Sequence, residues 1–123
     1  MLLSRVSICN SSGSTIGYVD GASILNGSGS TIGRVRDGSI MNSSGSTIAR
    51  YSSGSVMNSS GSTIGRFRSG TIADRNGSSL GSVSGETIRN RSGSPIGRFQ
   101  GSLTDGQLIA VLGFFFDFWD GFT

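Results

Sequence analysis

Branched apolar residues recur every eight positions along this chain, without an insertion, from residue 8 to residue 96. The residues between them are mostly Gly, Ser, Asn, Thr and Arg. Because chance does not hold so many positions in phase, the pattern indicates a repeat protein. The apolar positions are Ile8, Ile16, Ile24, Ile32, Ile40, Ile48, Val56, Ile64, Ile72, Leu80, Ile88 and Ile96.

Two kinds of eight-residue segment alternate, so the repeat unit is sixteen residues long. Six copies run from about residue 8 to residue 103. One position of the unit is nearly always Asn, and a second is always a very small residue. The Asn position holds Asn10, Asn26, Asn42, Asn58, Asp74 and Asn90; the small-residue position holds Gly17, Gly33, Ala49, Gly65, Gly81 and Gly97.

Each half of the unit has a β-branched apolar centre between turn-forming residues, which is typical of a short strand. Segments such as Asn-Ser-Ser-Gly are turn chemistry, since Asn can bond its own backbone and Gly accepts a positive φ. The small residue after Ile suggests a tight bend or a close approach of backbone. We therefore expect an all-β protein of about twelve short strands.

Two arrangements of these strands satisfy the pattern. In a β-solenoid-like stack, each unit is one coil and both Ile rows face inward. In a closed or spiral antiparallel arrangement, which we call the flower, each unit is a hairpin petal around a common axis. The strict register without insertions favours the solenoid, whereas the Asn-x-x-Gly turns favour the flower. We take the solenoid as the prediction and the flower as its alternative.

The last part of the chain departs from the repeat, so we divide it into an array over 1–103 and a tail over 104–123. Residues 104–107 can cap a short helix, and the following stretch is apolar on all sides. Such a segment is expected to be buried on all sides. It can seal its own array, thread along the axis, or insert into a neighbouring molecule. The residues predicted for self-association are Leu108, Ile109, Val111, Leu112, Phe114, Phe115, Phe116, Phe118 and Trp119.

Charge adds one candidate binding surface. The chain has a formal charge of +3, and all of its cations are Arg. Four of them occupy one repeat position: Arg34, Arg50, Arg66 and Arg98. Arg presents a planar fork of donors, so a row of them can bind an anionic ligand. The alternative is a solvated surface that prevents wrong strand pairing. Because the chain has few exposed aromatics to stack on bases, we do not expect nucleic acid as a partner.

The residues expected in an active site are missing from the pattern. The chain contains no His, and none of its Ser residues has a partner base. Cys9 stands alone, so neither a disulfide nor a cysteine metal cluster is expected. We predict no enzyme activity, no metal and no cofactor.

The tail is too short to span a bilayer, and membrane contact through it is not favoured. The start of the chain lacks a secretory signal, so the default location is cytoplasmic, with an extracellular fibre as a possibility.

The repeats Ile32–Ile40 and Ile64–Ile72 resemble the short repeats of bacterial β-flower-type proteins. Those repeats read (Asp/Asn)-x-x-Gly-x-x-Ile-Gly-x-Ile-x-x-Gly-x-Ile, and such proteins often end in a brief apolar segment. Here Asn and Ser replace the Asp-rich turns. The resemblance covers roughly residues 8–103 and implies a type of fold, because the family has no settled activity.

From the pattern and the tail we predict a non-enzymatic structural repeat protein that self-associates, with end-to-end filaments as one form. The alternative is a binding module that uses its Arg-bearing face for an anionic ligand or a partner protein.

Overall fold

The computed structural model describes residues 5–116, 118 and 119. Short strands fill most of this part of the chain, and one helix follows them. The elements are β1 Val6–Asn10, β2 Thr15–Asp20, β3 Ser23–Asn26, β4 Thr31–Arg36, β5 Ser39–Asn42, β6 Thr47–Ser52, β7 Ser55–Asn58, β8 Thr63–Arg68, β9 Thr71–Asp74, β10 Ser79–Ser84, β11 Thr87–Asn90, β12 Pro95–Gln100 and α1 Asp105–Phe114.

The Asn position of the repeat builds the longer of two kinds of loop. The side-chain Oδ1 of Asn10 accepts hydrogen bonds from the backbone N–H groups of Ser12 and Ser14, at 3.0 and 3.1 Å. Gly13 follows with a φ of +88°, which L side chains rarely adopt. The same two bonds recur in every copy, including the one where Asp74 replaces Asn. The predicted turn chemistry is confirmed.

The second kind of loop has only two residues and reverses the chain sharply. Asp37 and Gly38 have φ values of 48° and 84°, and their flanking residues Arg36 and Ser39 are directly paired. Two successive positive φ values are what a type I′ hairpin turn requires. Equivalent pairs of positive φ occur at Ser53–Gly54 and Ser69–Gly70. The two kinds of loop alternate along the chain, and adjacent strands pair in the antiparallel direction throughout.

The strands close into a barrel in which each strand pairs with its neighbours in sequence, and β1 pairs with β12. The pairing that closes the barrel, Ile8 with Phe99, has the same register as the pairing of Ile24 with Val19 inside the array. The predicted solenoid is therefore wrong, and the alternative closed β-flower is confirmed. In a solenoid, successive coils would stack in parallel, which two-residue hairpin turns do not allow.

The two Ile rows have different environments, contrary to the expectation that both face inward. The first row is fully enclosed, with no solvent exposure at Ile8, Ile24, Ile40, Val56, Ile72 and Ile88. The second row falls at register shifts, where Ile8 pairs with Gly17 and Cys9 pairs with Thr15, leaving Ile16 unpaired. A bulge of this kind bends the strand. Residues of the second row are half-buried and pack against the core from the side.

Helix α1 lies inside the barrel. Its N-cap is Thr104, whose side chain accepts a hydrogen bond from the backbone N–H of Gln107, while the Gln107 side chain accepts one from the Thr104 N–H. This reciprocal capping box confirms the predicted cap. The Gln107 amide also donates to the backbone carbonyl of Gly21 at 2.9 Å. Because Gly21 belongs to a two-residue loop, the helix enters at that end of the barrel and runs toward the Asn loops.

Candidate functional site

The residues predicted for self-association lie within the chain's own barrel. Val111 and Leu112 have no solvent exposure, and Leu108 and Ile109 are also buried. All four belong to the same core as the enclosed Ile row. The helix is apolar around its circumference because strands surround it on every side. Of the three fates considered for the tail, the structure therefore has it threaded along the axis of its own array.

The aromatic residues that end the helix lie against the small-residue position of the repeat. We call this set of five residues the tail aromatics: Phe114, Phe115, Phe116, Phe118 and Trp119. A Cβ atom on Gly17 would overlap the ring of Phe115, and one on Gly65 would overlap the indole of Trp119. The full set of pairs is Gly17 with Phe115, Gly33 with Phe114, Gly65 with Trp119, Gly81 with Phe118 and Gly97 with Phe116.

These pairs follow the order of the strands around the barrel. Residues 114, 115, 116, 118 and 119 contact strands β4, β2, β12, β10 and β8 in turn. Each step moves to the next six-residue strand, so the rings follow the barrel wall past five of its six long strands and point outward from the axis. The remaining long strand, β6, carries Ala49 at the corresponding position, so five rings match five glycines.

Two hydrogen bonds to backbone carbonyls hold this segment against the helix. The indole Nε1 of Trp119 donates to the carbonyl of Ile109 at 2.9 Å, and this bond is buried. The backbone N–H of Phe118 donates to the carbonyl of Leu112 at 3.0 Å. At the other end of the helix, Tyr51 contacts Gly106 so closely that a Cβ there would overlap the phenol. The helix and the tail aromatics together form an internal plug, residues 105–116, 118 and 119.

The close approach expected at the small-residue position is confirmed, but its partner was missed. The sequence contained a signal for it: five of the six copies carry Gly at this position, and the segment 114–119 contains five aromatic side chains. Equal numbers of rings and of positions without a side chain indicate that one set packs on the other. The rings can pack on these glycines only if the helix lies inside the barrel, and the periodicity of the sequence does not establish that location.

The four predicted binding arginines lie on the outside of the barrel and are exposed. Arg34 stands on β4 between Gly33 and Val35, which face the interior, so the pleat points it outward. Arg34, Arg50 and Arg66 lie on β4, β6 and β8, which form one side of the barrel. Arg98 lies on β12, and three strands separate it from β8. The structure thus brings together three of the four.

The same side of the barrel carries two more arginines. Arg36 and Arg68 are exposed on β4 and β8, two residues beyond Arg34 and Arg66. We call the outer face of β4 to β8 the Arg wall. Asp37 is the one acidic residue between positions 31 and 68, against five arginines. The rest of the chain contains five arginines and six acidic residues, so the excess positive charge belongs to this wall.

Shallow grooves on the outer surface offer the donors that anions bind. One groove is lined by Arg98 and by the loop containing Ser11 and Ser12. A second lies at the edge of the Arg wall, between Arg66, Arg68 and Thr71. Guanidinium and hydroxyl groups can donate several hydrogen bonds to one carboxylate or sulfate. This arrangement suits recognition of anionic groups.

Within residues 5–116, 118 and 119, no group of three or more His, Cys, Asp or Glu side chains could hold a metal ion. Cys9 lies 3.9 Å from the hydroxyl of Thr15. The helix in the described part of the chain is not long and apolar enough to cross a bilayer.

Comparison with known proteins identifies a family and no individual relative. No curated protein and no solved structure matches the chain. The model of a family described as 5-fold beta-flower protein matches residues 5–117, a range that includes all the strands, the helix and most of the tail aromatics. The present chain has six two-strand copies in that range. By this match, and in agreement with its closed barrel of hairpins, the chain belongs to the 5-fold beta-flower protein family.

Proposed function

We propose that this chain is a non-catalytic structural module that works through the outer surface of its barrel. The observation that supports the proposal is the location of its own tail: Leu112 is fully enclosed and Trp119 is only 2% exposed. Closed barrels either hold a ligand in a central cavity or fill the interior with side chains. Here the plug fills the interior, so a partner meets the outer face or the rims.

A catalytic role has little support from the residues present. Enzymes need unlike groups brought together in one concave site, and the grooves described above are shallow and contain Arg, Ser and Thr. The chain lacks His, the commonest general base. We therefore retain the non-enzymatic interpretation as part of the proposal.

Self-association remains a prediction, and the structure changes how it would occur. End-to-end growth through open strand edges requires an unpaired first and last strand, whereas β1 and β12 pair with each other here. Bridging by the tail would require the plug to leave its own barrel and expose the enclosed Ile row. Copies that associate with the plug in place would meet through their outer faces or loops.

Deleting residues 106–123 tests whether the tail is an internal plug. The deletion removes the residues that cover the enclosed Ile row, so we expect a chain that binds hydrophobic dyes, loses cooperative thermal unfolding and aggregates in light scattering. The intact chain should unfold cooperatively. A matched control replaces the exposed Asp105 with Glu, which keeps the length and the charge of the tail.

The opposite result would favour the bridging hypothesis. If the intact chain forms large particles and the deletion converts them into a folded, monomeric barrel, the tail joins molecules, and the proposal of a self-contained module is wrong.

A further inference from the structure

The Arg wall has a regular geometry set by strand pairing. Across β5, Arg34 faces Met41 while Arg50 faces Ser39, so successive copies are displaced by two residues along the strands. Two strand spacings and two residue rises place equivalent arginines about 12 Å apart around the barrel. Arg36 also faces Ser39, so Arg36 and Arg50 flank the same serine, about 10 Å from each other.

The side chains between these arginines are small and polar or flexible. Ser39 and Ser55 lie beside Arg50 and Arg66, and both serines are half-buried. The large aromatic residues of this region, Tyr51 and Phe67, belong to the interior. The wall is therefore a convex surface of guanidinium and hydroxyl donors, and its own rings are turned away from solvent.

This geometry distinguishes between polyanions. A nucleic acid strand carries a phosphate about every 3.4 Å along the helix axis, and proteins that hold single strands add aromatic rings on which the bases stack. The Arg wall offers one guanidinium about every 12 Å around the barrel and no outward ring. Polysaccharides that alternate an acidic and a neutral sugar carry their charges at about the length of a disaccharide, which is close to the spacing of the wall.

We propose that the Arg wall binds an acidic polysaccharide that runs around the barrel, with Arg34, Arg50 and Arg66 each contacting one carboxylate or sulfate. Arg36 and Arg68 extend this row toward the two-residue loops. The hydroxyl groups of Ser39 and Ser55 are placed to bond sugar hydroxyls between the charged contacts. The inference rests on the proposed function, in that it assigns a partner class to the outer surface.

The test measures binding of a hyaluronate oligosaccharide to the intact chain by titration calorimetry at low and high salt. Replacing the three wall arginines together (R34S, R50S and R66S) should weaken binding by about tenfold or more, since hydrogen bonds from charged groups to anions are the strong ones. The matched control, R5S with R75S and R91S, removes the same charge from exposed positions outside the wall and should weaken binding by less than about twofold. A lysine version, R34K with R50K and R66K, keeps the charge and should be intermediate, because it lacks the planar forks.

Three results would overturn this inference. Equal weakening by the wall and control variants would mean general charge attraction. Tighter binding of a single-stranded DNA oligonucleotide than of hyaluronate would assign the wall to nucleic acid. Absence of binding by the folded intact chain would exclude the polysaccharide. None of these results tests the internal plug, which is tested by deleting residues 106–123. The proposed structural module would therefore remain valid if the polysaccharide inference failed.

Discussion

The indole ring of Trp119 lies against Gly65 so closely that a single added methyl group would overlap it. The added carbon would also lie 2.9 Å from the backbone carbonyl oxygen of Ala73, which fixed strand pairing prevents from moving. Glycine is therefore required at position 65 by the atoms around it and not by backbone conformation, because the φ of Gly65 is not positive. The repeat keeps a glycine here so that a ring from the tail can lie on the strand.

Replacing Gly65 with Ala should destabilise the protein by about 1–3 kcal/mol, the usual effect of overpacking a dense interior. The free energy of unfolding, measured by chemical denaturation, tests this. The matched control is Gly27→Ala, because a Cβ there meets atoms only at an ordinary 3.6 Å and Gly27 also lacks a positive φ. We expect the control to change stability by less than about 0.5 kcal/mol.

A double-mutant cycle shows whether Trp119 causes that loss. If the ring is responsible, Gly65→Ala should be less harmful when Trp119 is already Ala, with a coupling of about 0.5–3 kcal/mol. If the free-energy changes of the two single substitutions simply add, the carbonyl of Ala73 alone excludes the methyl group. The contact between the ring and the glycine would then contribute nothing to stability.

The two Ile rows should respond differently to truncation. Ile40 has no solvent exposure, so Ile40→Ala should cost about 2–5 kcal/mol as transfer free energy and cavity are both lost. Ile48 is half-buried at a bulge, and Ile48→Ala removes a side chain that already contacts water. Its loss should be less than half as large. Equal losses in thermal or chemical unfolding would contradict the difference in environment.

The Asn loops provide a prediction about hydrogen bonding without any change in core volume. Asn42→Ala removes the Oδ1 atom that accepts bonds from the N–H groups of Ser44 and Ser46 at 3.0 Å, and should cost about 1–2 kcal/mol. Asn42→Asp is the control, since Asp74 makes the same two bonds in its own copy. The free energy of unfolding is measured by chemical denaturation. If Asn42→Asp lowers it as much as Asn42→Ala does, the loop depends on something other than the acceptor oxygen.

How far the sequence predicts this structure depends on whether a feature is local. The strands, the Asn turns and the Thr104 cap were all predictable, because each depends on residues within a few positions of one another. The choice between solenoid and flower was not, although Asp37–Gly38 is a hairpin dipeptide. The barrel closes because each copy is displaced by two residues along the strands relative to the copy before it, until Phe99 pairs with Ile8. The sequence of a single repeat unit does not reveal this displacement.

The candidate site was predictable in part for the same reason. Alternation along β4 indicates that Arg34 lies on the face opposite to Gly33, but periodicity does not say which copies become neighbours around a closed barrel. Arg98 is separated from the wall on both sides, because β10 carries Ser82 and β2 carries Tyr18 where the other four copies carry Arg. The sequence predicts that the tail is buried on all sides, but it does not predict that the tail lies along the axis of its own barrel.

The central claim, that each chain encloses its own tail, is tested most directly by acrylamide quenching of Trp119, the single tryptophan, from concentrated to very dilute protein. Trp119 is nearly inaccessible and its indole is bonded to Ile109 within the same chain. The account predicts blue-shifted emission and weak quenching at every concentration, with a scattering mass of one chain at the lowest. Quenching that rises on dilution, in step with a falling mass, would show that a neighbouring molecule covers the tail and would contradict the account.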